Sequence, residues 1–140
     1  MTVVVLPLLV LLVVVLFADN RRSRFGGGSF EQVDSAIAEA GLQVCDLVID
    51  ADGQANQAVA SRSYDVAVSC GRGDIGQVVV DEFGDADDRD AAVRSFEAQL
   101  RPRGSGVAYT FGRFSLFVFG HGDDAVQDRL DAAFRRMGAA

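Results

Sequence analysis

The chain has 140 residues, of which 49% are hydrophobic, and a net charge of −7, with arginine as its only basic residue besides one histidine. That length accommodates one domain of ordinary size. Because nucleic-acid binding draws most of its affinity from neutralised phosphates, the acidic balance argues against a nucleic-acid partner.

The chain begins with an uncharged apolar segment, residues 2–18. As a helix, this segment would span roughly 25 Å at about 1.5 Å per residue, close to the shortest length that crosses a bilayer core of about 30 Å. Three arginines follow it and can reach lipid headgroups. We therefore predict that residues 1–24 form a single-pass transmembrane anchor with a basic flank.

A cleaved signal peptide is the alternative interpretation of the same segment. Signal peptides carry a basic region before the apolar run and small residues before the cleavage site. Here no basic residue precedes the run, and the one candidate site, after Ala18, has Leu16 where a small residue is needed. These departures favour a retained anchor.

Residues 25–28 contain three consecutive glycines and are predicted to form a flexible hinge before an acidic domain at residues 29–140. Ser29 and Gln32 have the spacing of a capping box, which predicts a helix starting at this point. Gly41 is a suitable end for it. The predicted buried face of this helix contains Phe30, Val33, Ile37 and Ala40.

Three strands are predicted next, at residues 42–50, 64–70 and 77–83, separated by a polar loop at 51–63 and a glycine-rich turn at 71–76. The middle strand alternates most clearly, which predicts one buried and one exposed face. The buried face would contain Tyr64, Val66, Val68 and Cys70, and the exposed face Asp65, Ala67 and Ser69.

A second helix follows, capped by Asp85 or Asp87 and ended by Pro102. Its predicted buried stripe contains Val93, Phe96 and Leu100.

The last third of the chain predicts a hairpin and a helix. Strands at residues 107–111 and 114–119 flank Gly112-Arg113, a two-residue loop typical of a type II′ turn. Asp124 and Gln127 have capping-box spacing and open a helix whose buried face would contain Val126, Leu130, Ala133, Phe134 and Met137.

The predicted order is therefore α-β-β-β-α-β-β-α. Consecutive strands joined by short connections indicate an α+β fold with an antiparallel sheet, and we expect its helices on one face.

Two motifs suggest ligands, and each has a simpler explanation. Gly71–Gly76 matches the G-x-G-x-x-G pattern, but a strand follows it where dinucleotide binding needs a helix N-terminus. The acids of residues 81–90 and 50–52 could bind a hard cation, but they lack the EF-hand loop pattern, and helix capping accounts for several of them. A divalent-cation-binding domain stays an alternative function.

His121 is the only histidine of the chain. A small enzyme using Cys or Asp chemistry around His121 is the other alternative function. Both cysteines lie in predicted strands, whereas reactive thiols favour helix N-termini or basic pockets. We accordingly assign no catalytic, cofactor or metal residues, and expect no dinucleotide, haem or zinc.

The last predicted strand is apolar on both faces, since Phe117 and Phe119 point opposite to Leu116 and Val118. Either a second element covers the Phe117–Phe119 face, or that face is a contact surface. The second interpretation predicts a membrane-anchored, non-catalytic interaction or sensor domain with a membrane-proximal protein or ligand as partner. A linker of about ten residues would hold it within roughly 35 Å of the bilayer.

Two opposed signals bear on which side of the membrane the domain occupies. Arginines that follow the apolar segment favour a cytoplasmic domain. Cys45 and Cys70, however, lie on inward faces of predicted strands and can form a disulfide, which persists mainly outside the cytoplasm. We expect an extracytoplasmic domain with a Cys45–Cys70 bond; two buried free thiols are the alternative.

Overall fold

A computed structural model of the protein describes residues 25–50, 57–73, 75–100, 106–119 and 124–140. The predicted anchor at residues 1–24 and His121 lie outside these ranges. Within them, no helix is long and apolar enough to cross a membrane.

The order of elements in the described chain is the predicted one, and the fold is α+β. The elements are α1 (Phe30–Glu39), β1 (Gln43–Asp50), β2 (Ala60–Ala67), β3 (Gly76–Glu82), α2 (Ala86–Leu100), β4 (Val107–Phe111), β5 (Phe114–Phe119) and α3 (Asp124–Met137). All five strands form one antiparallel sheet in the order β1-β2-β3-β5-β4.

Helix and hairpin ends follow local chemistry. The Ser29 hydroxyl accepts a hydrogen bond from the backbone N–H of Gln32 and so caps α1. At α2 the cap is Asp85, whose carboxylate accepts from the backbone N–H of Asp88 at 2.8 Å. In the β4–β5 turn, Gly112 has a φ of +54°, which glycine adopts without steric cost.

The second strand differs from its prediction: β2 begins at Ala60 and not at Tyr64. The polar stretch Ser61–Ser63 resembles a loop in sequence, yet it pairs with β1 on one side and β3 on the other. Because β2 already ends at Ala67, Val68 is exposed, contrary to the prediction, and Ala67 is buried.

One core lies between the sheet and the helices α1 and α3. Along α3 the buried side chains are those predicted, with Met137 partly buried. The core includes Val33, Ile37, Tyr64, Val66, Val78, Val80, Leu116, Val118, Val126, Leu130 and Phe134. Each such aliphatic or aromatic side chain contributes about 1.5–3 kcal/mol on full burial. We call this side of the sheet the α1 face.

A second core lies on the opposite side of the sheet, beneath α2. It includes Ala58, Phe83, Ala92 and Phe117, with Val79, Val93, Phe96, Ala108 and Phe119 packed against them. Val79 lies between Val78 and Val80 along β3, and successive strand residues point to opposite faces. The expectation that all helices lie on one face is therefore wrong: α2 covers the other, which we call the α2 face.

The glycine segment predicted to be a flexible hinge lies against the β4–β5 turn. The Gly27 carbonyl accepts a hydrogen bond from the backbone N–H of Arg113 at 3.1 Å. Arg89 donates to the Gly112 carbonyl, and its guanidinium lies 5.5 Å from the centre of the Phe25 ring. We call this arrangement of Phe25, Gly27 and the turn the entry clamp, since it fixes the point at which the chain enters the domain.

Candidate functional site

The predicted contact surface at Phe117 and Phe119 is covered. The Phe96 ring of α2 stacks on Phe117 with centroids 4.3 Å apart and meets Phe119 edge-on at 5.2 Å. Phe117 is only 4% exposed. In place of a contact surface, the structure has a strand covered on both sides, so a binding surface has to be sought elsewhere.

The two edges of the sheet differ. At β4, Thr110 exchanges two backbone hydrogen bonds with Ala140, at 2.8 and 3.0 Å. Ala140 thus occupies part of the outer edge of β4. At the opposite side, β1 is the last strand of the sheet and, within the described ranges, pairs with β2 alone.

Exposed apolar side chains follow β1. Val44, Leu47 and Ile49 are 46%, 41% and 61% exposed. They lie opposite Val66, Tyr64 and Arg62 of β2, which places all three on the α1 face. We call these three residues the β1 row. Sequence reasoning missed them, because nothing in the pattern of residues 42–50 shows that the strand lies at an edge.

The end of β1 is fixed by a disulfide. The register moves from Val44 opposite Val66 to Asp46 opposite Asp65, so Cys45 is the extra residue of a β-bulge. Cys45 is bonded to Cys70, with Cα atoms 5.5 Å apart, as predicted. Neither sulfur is a free thiolate in this oxidised state, which removes cysteine nucleophiles from the enzyme alternative.

The other face of the same edge carries the acids Asp46 and Asp65, together with Val48, which is 53% exposed. Asp46 is directly opposite Asp65, and opposed like charges on paired strands destabilise a sheet. The Asp46 carboxylate accepts a hydrogen bond from the backbone N–H of Leu47 at 2.9 Å. A positive charge beside this edge would therefore be stabilised by both carboxylates.

Next to the β1 row, a hydrogen-bonded cluster ties α1 to β2. The Tyr64 hydroxyl donates to Asp34 at 2.5 Å, and Arg62 donates to the same carboxylate at 3.4 Å while lying over the Phe30 ring. Burial and the bond to Asp34 raise the pKa of Tyr64 well above its ordinary value. The Arg62 charge is thus already paired.

The same kind of contact joins α3 to β4. The Tyr109 hydroxyl donates to Asp131 at 2.6 Å, and Arg135 contacts that carboxylate from the next turn of the helix. The hydrogen bond from Tyr109 makes the largest contribution to lowering the pKa of Asp131, and the hydrogen bond from Arg135 lowers it further. We interpret both tyrosine–carboxylate pairs as structural ties, because each joins a helix to the sheet beneath it.

A buried polar row crosses three central strands on the α2 face. Ser61, Asp81 and Ser115 lie opposite one another on β2, β3 and β5, and Asp81 is 4% exposed. Burial raises the pKa of the Asp81 carboxyl, and a hydrogen bond with Ser61 opposes this shift. Among the described residues, Asp81 Oδ1 and Ser115 Oγ have no hydrogen-bond partner. All three side chains are buried on the α2 face, so we do not place a binding surface there.

The remaining candidates divide between described and undescribed residues. No group of three or more His, Cys, Asp or Glu side chains in the described ranges could hold a metal ion. In the glycine motif, Gly71 and Gly73 have positive φ within a turn and β3 begins at Gly76, so the described part of the motif belongs to a strand connection. His121 lies outside the described residues, and the enzyme alternative around it stays a prediction.

Comparison with known proteins adds no relative from which a function could be transferred. No protein-family model matches the chain, and no curated protein or solved structure matches it significantly. The function has to be argued from the geometry of the sheet edge.

Proposed function

We propose that this chain is a membrane-anchored, non-catalytic interaction domain that binds an extended segment of its partner along β1. The observation that carries the proposal is the contrast between the two edges of the sheet. The chain terminus pairs with β4, whereas β1 ends the sheet with a row of exposed apolar side chains.

Strand addition, in which a segment of another chain pairs with an edge strand, would explain why this protein has an exposed edge at β1. An edge strand presents backbone donors and acceptors with which another chain can pair, and proteins usually blunt edges that have no partner. Beyond the bulge at Cys45, β1 pairs with β2 in continuous register from Asp46 to Asp50. This regular stretch is long enough to template an added strand, and the β1 row offers it apolar contacts.

The proposal also includes a membrane anchor and an extracytoplasmic position for the domain. The uncharged segment at residues 2–18 supports an anchor. The Cys45–Cys70 bond supports an oxidising compartment, and hence an extracytoplasmic domain. The partner would then be a protein or ligand at or near the membrane surface.

Site-specific photocrosslinking tests the interaction. A photoreactive residue replaces Ile49 in the full-length chain within its native membranes, and a matched control replaces Val59, which is 50% exposed and precedes β2. We expect a discrete adduct from position 49, absent at position 59 and lost when Leu47→Lys is added. Equal adducts at both positions, or none at position 49, would contradict the proposal.

A further inference from the structure

We infer that the segment bound at β1 alternates basic and apolar residues, with its apolar side chains on the α1 face and its basic side chains on the α2 face. This inference rests on the proposed function and specifies the chemistry of its partner. It is carried by the different character of the two faces of β1.

The alternation follows from the geometry of an added strand. Successive side chains of that strand point to opposite faces of the sheet, and each lies beside a side chain of β1. On the α1 face its neighbours are Leu47 and Ile49, both exposed and apolar. Every second residue of the partner would therefore bury apolar surface there.

On the α2 face the neighbours are Asp46, with Asp65 one strand further in, and Val48, which is 53% exposed, so this face is acidic beside Asp46 and apolar beside Val48. The two carboxylates lie opposite each other and repel. A basic side chain beside Asp46 offsets this repulsion, and an acidic side chain adds to it. Charge complementarity thus selects a basic partner on this face.

The faces also fix the orientation of the partner strand. Arg62 lies opposite Ile49 on the α1 face, where it is paired with Asp34 and covers Phe30. A basic side chain on the α1 face would approach this cation, whereas an apolar one would extend the β1 row. Exchanging the faces would place basic side chains beside Arg62 and would leave Asp46 without a basic neighbour.

A second copy of this chain fits the edge less well. Its β1 would bring a second Asp46, and each copy has a net charge of −7. Like-charge approach of this kind disfavours self-association. The favoured occupant is therefore a basic extended segment of a different chain.

Fluorescence anisotropy with synthetic peptides tests the inference on the full-length chain in a non-ionic detergent. The first probe is a seven-residue peptide alternating arginine and valine, and two others alternate glutamate with valine and arginine with serine. We expect the arginine–valine peptide to bind at least about tenfold more tightly than either, and its affinity to fall as salt is raised.

Chain variants and a modified peptide separate strand addition from adsorption to an acidic surface. Asp46→Asn should weaken binding about two- to fivefold and Ile49→Lys more than about tenfold, while Val59→Lys should leave it unchanged. An arginine–valine peptide N-methylated along one edge keeps its charge but loses backbone donors, and should not bind.

Three results would overturn the inference. Equal binding of the N-methylated peptide would mean electrostatic adsorption alone. Equal binding of the glutamate–valine peptide would remove the basic requirement. Dimerisation lost with Ile49→Lys, together with no peptide binding, would make a second copy the occupant. In each case a position-49 adduct would still support the proposed function, so the two failures can be told apart.

Discussion

The two edge strands of this sheet, β4 and β1, are stabilised in different ways. On the β4 side, local segments add backbone bonds: Ala140 pairs with Thr110, and Gly27 accepts from Arg113 in the neighbouring turn. On the β1 side, a covalent bond from Cys45 to Cys70 holds one end of the strand and leaves its length exposed. Among the described residues, the β1 edge is therefore held in shape without being covered, which is the property that the proposed binding of an extended segment needs.

The largest effect should come from the disulfide. The bond joins residues 25 apart, and closing a loop of that size in the unfolded chain stabilises the protein by about 3–4 kcal/mol. The double variant Cys45→Ser with Cys70→Ser should lose that free energy of unfolding, measured by chemical denaturation. Hydrogen exchange should rise more in β1 than in β4.

Reduction of the wild-type protein is the matched control for this variant. It should reproduce the loss, and the double variant should be insensitive to reductant. A loss spread evenly over both edges would mean that the bond stabilises the whole fold without a particular role at β1.

The turns that contain Gly112 and Gly71 offer a comparison with a smaller expected effect and a matched control. Gly112 and Gly71 both have positive φ, but a Cβ at Gly112 would overlap the Gly27 carbonyl, whereas no described residue lies within 4 Å of one at Gly71. Gly71→Ala should therefore cost about 1 kcal/mol from backbone strain alone, and Gly112→Ala about 2–3 kcal/mol. Thermal unfolding of both variants measures the difference, which should vanish if the entry clamp contributes nothing.

Opening the β4 edge should cost less stability than the loss of the disulfide. Removal of Ala140 deletes two backbone hydrogen bonds to Thr110, each worth about 0.5–1.5 kcal/mol, and keeps Ala139, which is buried and donates to the Phe134 carbonyl. We expect a loss of about 1–3 kcal/mol and faster amide exchange at Thr110, followed by mass spectrometry. If the β4 edge then binds the arginine–valine peptide as well as β1 does, the side chains of β1 do not determine its selectivity.

Local patterns in the sequence predicted the local structure well. The hairpin strands, the Ser29 cap and the inward face of α3 all depend on spacings within a few residues, and the structure has them as predicted. The disulfide was predicted correctly from two cysteines on inward strand faces, but the structure brings them together differently, since Cys45 lies in a β-bulge and Cys70 lies exposed beyond the end of β2.

Features set by the assembly of the whole fold were not predictable. Ser61–Ser63 belongs to β2 because strands on both sides supply its backbone partners, and one sequence does not show those partners. An amphipathic helix shows which of its faces is buried but not which side of the sheet it covers, so the position of α2 was wrong. Edge status is likewise a property of strand order, which left the β1 row undetected.

The entry clamp changes how far the domain could move on an anchor. Phe25 and Gly27 are held at the β4–β5 turn, so if residues 2–18 were an anchor, six residues would join it to the entry clamp and would reach at most roughly 20 Å. The β1 edge lies four strand spacings from β4, about 19 Å across the sheet. If residues 2–18 span a bilayer, β1 would stay within a short distance of the membrane surface. A partner tethered to the same membrane would then be present at a high effective concentration, whereas a partner in free solution would not.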